Sequence, residues 1–149
     1  MNEVQAMKTV ILLRPQLKNT GAFANNTYVD FAGWNHARFL FVVGDTDVAV
    51  GSGDDATPLF LEECDTTGGE YTPITDAELS AVIGAGDDNK LFAVDVDLTK
   101  THKRYGQVNA PTAGTGSNGA NLAILCQLSK GAIGPHDEAG MGLEELVTV

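Results

Sequence analysis

Positive charge is scarce in this chain. It sets 9 Lys and Arg against 20 Asp and Glu, for a formal net charge of −11. That balance excludes nucleic acid as a direct partner, because counterion release needs clustered cations and this surface repels phosphate. It disfavours an anionic membrane for the same reason. Long apolar runs are missing too. Val10-Ile11-Leu12-Leu13 is halted by Arg14-Pro15, too short for the apolar centre of an export signal. Phe39 to Val43 is a fraction of the roughly 20 residues that span a bilayer. The expectation is a protein made in a cytoplasm and independent of membranes. Cysteine occurs only as Cys64 and Cys126, both inside apolar runs. Two thiols make no disulfide framework and read as small buried hydrophobes, with a single bridge between them as the alternative.

What is present fits one domain. A chain of 149 residues with 43% hydrophobic content is long and apolar enough to bury a core without a metal or disulfide staple. Clusters of Gly, Asn, Asp, Thr and Ser recur at short intervals, among them Gly51 to Asp55, Thr66 to Gly69, Gly84 to Asn89 and Thr112 to Gly119. Between them lie short runs of Val, Ile, Leu, Phe and Tyr, the pattern of an all-β sandwich or barrel. Lys90 to Leu98 alternates as a half-buried strand. Asn121 to Ser129 and Arg38 to Val43 are apolar on both faces and read as central strands. Lys8 to Leu13, Thr27 to Ala32 and Leu59 to Cys64 are further strands, the last opened by Pro58.

One helix is expected. Thr75-Asp76-Ala77-Glu78 has the form of a capping box, Leu79, Val82 and Ile83 follow at helical spacing, and Gly84 supplies a stop. Val4 to Met7 and Leu143 to Val147 are weaker helix candidates. The Gly-rich tail from Gly131 to Val149 reads as an extended arm outside the sandwich. The division is therefore a β-sandwich over 1–130 and a C-terminal arm over 131–149.

Chemistry-bearing residues are dispersed. Asp45-Thr46-Asp47, Asp54-Asp55, Asp87-Asp88 and Asp95-Val96-Asp97 offer oxygens for calcium, but none matches an EF-hand loop, and turn capping explains them. Asp95 and Asp97 share a strand face, and the expected partners are Lys100, Lys103 or Arg104 on a neighbouring strand. His36, His102 and His136 lack zinc-ligand spacing. No nucleophile elbow surrounds Ser52, Ser80, Ser117 or Ser129. Gly114-Thr115-Gly116-Ser117-Asn118-Gly119 has G-x-G-x-x-G spacing, but a strand follows it instead of a helix, so it reads as a hairpin loop. Lys100-Thr101-His102-Lys103-Arg104 is the one basic cluster. It is either a docking spot for an acidic partner or a hairpin end balancing Asp95 and Asp97. Trp34 is a core plug or a subunit-interface aromatic.

Three blocks together carry a resemblance. They are Val10-Ile11-Leu12-Leu13-Arg14-Pro15-Gln16, the stretch from Val29 through Gly33-Trp34-Asn35-His36 to Gly44, and Ala93 to Leu98 followed by Lys103-Arg104-Tyr105. In that order, closed by Asn121 to Ser129, they resemble the small β-rich capsid decoration or head-stabilising proteins of tailed bacteriophages. The chain departs from that pattern in the polar stretch after Tyr105, in the Gly51–Gly69 region and in its tail. The resemblance implies a non-enzymatic virion protein without cofactor or metal. Such a protein sits on the major capsid protein at the capsid surface, commonly as a homo-oligomer, with a trimer favoured.

The expectation is thus a single antiparallel β-sandwich or jelly-roll-like domain with one short helix and a C-terminal arm, binding and stabilising a capsid shell. Terminal segments 1–7 and 131–149 would lie across neighbours. The expected contact residues are Trp34, Lys103, Arg104, Tyr105, Leu143 and Leu146. The alternative is a carbohydrate- or receptor-binding module of a head fibre. It predicts exposed aromatics around the Gly51–Gly69 and Pro111–Gly119 loops, which hold almost none, and a single Trp is few for sugar stacking. A small β-sandwich hydrolase is a third possibility, without a clustered acid pair to support it.

Overall fold

A computed structural model describes residues 7–130 and 141–149. Twelve strands follow in chain order: β1 (Met7–Lys18), β2 (Gly21–Ala22), β3 (Val29–Asp30), β4 (His36–Thr46), β5 (Val50–Ser52), β6 (Phe60–Cys64), β7 (Thr72–Glu78), β8 (Leu91–Asp97), β9 (Tyr105–Val108), β10 (Pro111–Ala113), β11 (Ala120–Ser129) and β12 (Glu145–Thr148). They form a five-stranded sheet β1-β11-β4-β8-β12, a four-stranded sheet β3-β9-β6-β7 and a three-stranded sheet β2-β10-β5. The all-β sandwich class holds.

Alternation explains the main elements. Along β4, Ala37, Phe39, Phe41 and Val43 point inward and are buried, while the residues between them are half-buried. Val94 and Val96 of β8 and Leu122, Ile124, Cys126 and Leu128 of β11 join them in one core with Phe31, Leu61, Ile74 and Val108 from the other side of the sandwich. The two runs read as apolar on both faces, β4 and β11, do hold interior places in the larger sheet.

Two expectations are corrected. Residues 75–84 form no helix: Thr72–Glu78 is strand β7, at the edge of the four-stranded sheet. The helix-like spacing comes from a bulge. Between Phe60↔Glu78 and Glu62↔Pro73 the register shifts, so β7 spends five residues where β6 advances by two. Asp76 takes the left-handed conformation (φ 62°) within that bulge. Ile74 and Ala77 then both face inward, three residues apart, which mimics one turn of helix. Ile83 is held separately, by a two-way backbone exchange with Val50.

The second correction concerns the tail. Its last residues are not an arm outside the sandwich, nor is Leu143 to Val147 a helix. Glu145–Thr148 is the edge strand β12, parallel to β8, with Glu145 opposite Phe92 and Thr148 opposite Asp95. Val149 continues the pairing through bonds to Asp95 and Asp97. Its alternating Leu146 and Thr148 fit a strand as well as a helix, and the preceding glycines hid the element. The rest of the expected arm, residues 131–140 with His136, lies outside the described residues, as do residues 1–6 of the expected N-terminal segments.

Candidate interaction surfaces

Register in the four-stranded sheet decides which side chains leave the core. Leu61 pairs with Val108, and Glu63 with Gly106; Leu61, Gly106 and Val108 are buried. Glu62 pairs with Gln107 and Cys64 with Tyr105, so these four lie on the opposite, outward face. Asp30 pairs with Tyr105 and Pro73 with Glu62, and two residues before them stand Tyr28 and Tyr71. All three tyrosines of the chain therefore converge on one sheet face.

The face is organised by hydrogen bonds. The Tyr28 and Tyr105 rings meet edge to face, 5.4 Å between centroids at 82°. The Arg104 guanidinium lies 5.1 Å from the Tyr105 ring centre and grips Asp30 with a two-pronged fork of 3.1 and 2.9 Å. That fork holds the Asp30 carboxyl below its ordinary value, helped by the Ala32 amide. Glu62 is 7% exposed and accepts from Gln107 Nε2 at 2.5 Å and Asn109 Nδ2 at 2.9 Å. Burial pushes the Tyr71 phenol above its ordinary value, and Cys64, Tyr28, Glu62 and Tyr105 add to the effect. The Tyr71 hydroxyl is buried with no partner among the described residues, as is Asn26 Oδ1, whose amide nitrogen donates to the Val108 carbonyl at 2.7 Å.

A second surface is the outer edge of β1, the terminal strand of the large sheet, crossed at its middle by the Thr27 amide bonding to the Leu12 carbonyl and by Gln16 bonding to Ala24. Lys8, Arg14 and Lys18 hold three of the chain's nine cations, and the strand contains no acid. None of the three forms an ion pair among the described residues. Met7, Ile11 and Leu17 project from the same strand at 46%, 57% and 57% exposure. Such apolar exposure on an edge invites pairing, and the lysines, Pro15 and two register shifts temper it.

The expected contact residues scatter. Tyr105 and Arg104 belong to the tyrosine face. Lys103 donates to the Thr72 hydroxyl at 2.9 Å. Trp34 packs against the core, with the Lys130 ammonium 5.8 Å from its ring centre. Leu143 and Leu146 are half-buried near the far edge of the five-stranded sheet. The basic cluster is largely engaged within the chain. His102 Nδ1 lies 2.9 Å from Glu63 Oε2, which also accepts the Lys103 amide at 3.1 Å. Beside this pair is an open groove of about 400 Å³, lined also by Asp76, Lys100 and Thr101.

The expected balance of Asp95 by Lys100, Lys103 or Arg104 is corrected. The neighbour of β8 is β4, which sets Arg38 directly opposite Asp95. Arg38 Nε and Nη2 each reach the carboxylate at 2.6 Å, and His36 Nε2 lies 3.4 Å from it. Asp97 instead accepts from the Thr99 hydroxyl and amide.

The G-x-G-x-x-G loop has its own anion. The Asp47 carboxylate accepts backbone amides of Gly119 at 2.7 Å, Asn118 at 2.8 Å and Ser117 at 3.1 Å. These bonds, Gly119 first, hold the Asp47 carboxyl below its ordinary value. Protection of the amides at residues 117–119, measured against their intrinsic exchange rates, should therefore persist well into the acid range and be lost only as pH falls through that depressed value. Asp47→Ala should remove this protection at every pH above it, with hydrogen-exchange NMR as the readout.

Cys64 and Cys126 are both buried and unbridged, as the small-hydrophobe reading expects. Burial pushes the Cys126 thiol far up, away from nucleophilic chemistry. Among the described residues no group of three or more His, Cys, Asp or Glu is placed to hold a metal ion, and no helix is long and apolar enough to cross a membrane. No family model matches the chain, and no curated protein or solved structure matches it either.

Proposed function

We propose that the chain is a non-enzymatic structural protein of a tailed-phage virion, docking on the capsid shell and stabilising it from outside. The observation that carries this reading is the β1 edge. On a chain of charge −11, one long strand presents three cations without an ion pair among the described residues and three exposed apolar side chains along the outer edge of the large sheet, on either side of its contacts with Ala24 and Thr27. Such an edge suits an extended, acidic segment of a partner, with main-chain bonds for affinity and charge for orientation. The sequence resemblance supplies the partner, the major capsid protein, and repetition over a lattice would multiply a modest single contact.

The test is co-sedimentation with capsid shells lacking this protein. Wild-type chain should saturate the shells and be displaced by salt. The Lys8→Glu/Arg14→Glu/Lys18→Glu variant should keep its melting temperature within about 2 °C, since Lys8 and Arg14 are exposed and Lys18 is half-buried, and lose at least about tenfold in affinity. Equal binding by both proteins would remove β1 as the docking edge. No binding by wild type would end the capsid reading altogether.

A further inference from the structure

We infer that the outward face of β3-β9-β6-β7 is a binding site for a neutral, hydroxyl-rich ligand, a glycan chain. Three features support this independently of the β1 edge. Tyr28, Tyr71 and Tyr105 put three amphipathic rings on one face, and Tyr28, the exposed one (39%), offers a ring plane to sugar C–H groups and a hydroxyl to their oxygens beside the half-buried Tyr71 and Tyr105. Gln107 and Asn109 are fixed by the buried Glu62 carboxylate. Each amide spends one N–H on Glu62 and keeps its carbonyl oxygen for a ligand, so polar groups are oriented before binding. Lastly, rigid paired strands carry most of these side chains, as precise recognition demands.

The charge pattern selects among glycans. The one guanidinium on this face, Arg104, is already held by Asp30. Glu62 has both oxygens occupied, and the chain as a whole is strongly acidic. Sulfated or carboxylated sugars would meet the chain's excess of negative charge, with Lys8, close enough to act on Asp30, as a cation near this face without an ion pair among the described residues. A neutral chain meets no such barrier, and its binding should depend little on salt.

The experiment titrates the ¹⁵N-labelled full chain separately with cellohexaose, maltohexaose, mannohexaose and N-acetylchitohexaose, each to about 10 mM, a range that detects millimolar dissociation constants. The expected result is saturable shifts from at least one of the four. They should be confined to residues 26–30, 62–64, 71–73 and 105–109 and little changed by added salt. Tyr28→Ala, at an exposed position (39%), should keep the amide spectrum of the fold and weaken that binding about tenfold. Gln107→Ala should weaken it as well. No shifts on this face with any of the four would overturn the inference. So would tighter binding of a heparin hexasaccharide to the same residues, because the site would then be anionic in preference. Protection of residues 105–109 in shell-bound protein would also overturn it, by making the face a protein interface. These outcomes are read apart from shell binding through β1, so either proposal can fail alone.

Discussion

Arg38→Ala should cost about 3–5 kcal/mol, the usual loss when one member of a buried ion pair is removed. Asp95 is 1% exposed, and its two bonds to Arg38 are what make its charge tolerable there. Burial by itself would raise the Asp95 carboxyl. The two Arg38 hydrogen bonds and its charge, with His36 beside the carboxylate, outweigh it and hold the group below its ordinary value. The pH dependence follows from that direction. In the wild type, the pair's stabilisation is fully present above the carboxylate's unfolded value and drains away as pH falls towards the depressed folded one. In Arg38→Ala, burial is left less opposed, so Asp95 should titrate higher when folded than in the wild type. The variant's deficit should then be largest near neutrality and narrow as acid protonates the carboxyl. Urea melts of both proteins across the acid range would show the two curves converging. Parallel curves would mean that Arg38 contributes packing only. Replacing both partners, as Arg38→Met/Asp95→Leu, should recover most of the loss, since no unpaired charge remains.

Phe31→Ala should be comparably damaging, at about 3–5 kcal/mol. Phe31 is 5% exposed and meets Phe39 edge to face across the sandwich, 6.2 Å between centroids at 84°. Its other contact is the more telling one. A Cβ on Gly106 would run into the Phe31 ring, so the ring lies directly against the β9 backbone. Gly106→Ala should cost about 1–3 kcal/mol by overpacking. The two sites should also couple: in a Phe31→Leu background the added methyl should cost less, by at least about 0.5 kcal/mol in a double-mutant cycle. Strict additivity would show that the ring and the backbone do not constrain each other. Because Gly106 sits between Tyr105 and Gln107, either single change should also move the amide resonances of the tyrosine face.

How far the sequence could lead is clear from particular residues. Strands β4, β8 and β11 were legible because each alternates cleanly and one face is apolar throughout. β7 was not, since its bulge converts a period of two into a spacing of three, and Thr75 and Glu78 complete the likeness to a helix start. The partner of Asp95 was also out of reach. Sequence proximity favours Lys100 to Arg104, but β8 pairs with β4, a strand nearly sixty positions earlier. The tyrosine face shows the same gap more sharply. Tyr28, Tyr71 and Tyr105 are far apart in the chain, and only the order β3-β9-β6-β7 collects them. A search of the loops for aromatics passes over them. The three cations of β1 were visible, yet they are spread over eleven positions and drew less notice than the compact run at 100–104, whose members turn out to be mostly engaged.

The order of the large sheet also bears on how the chain comes to be folded. Met7 of β1 lies opposite Ser129 of β11, so the first described strand waits for more than a hundred residues of synthesis before its sheet neighbour among the described residues exists. Sheets built from such distant pairings form slowly and late. Throughout that interval β1 has two open edges, with Ile11, Leu12 and Leu13 unprotected on a growing chain. Lys8, Arg14 and Lys18 then have a task that precedes any docking. Charges of this kind and Pro15, spaced along an exposed strand, are the features that discourage edge-to-edge pairing of copies before β11 is in place.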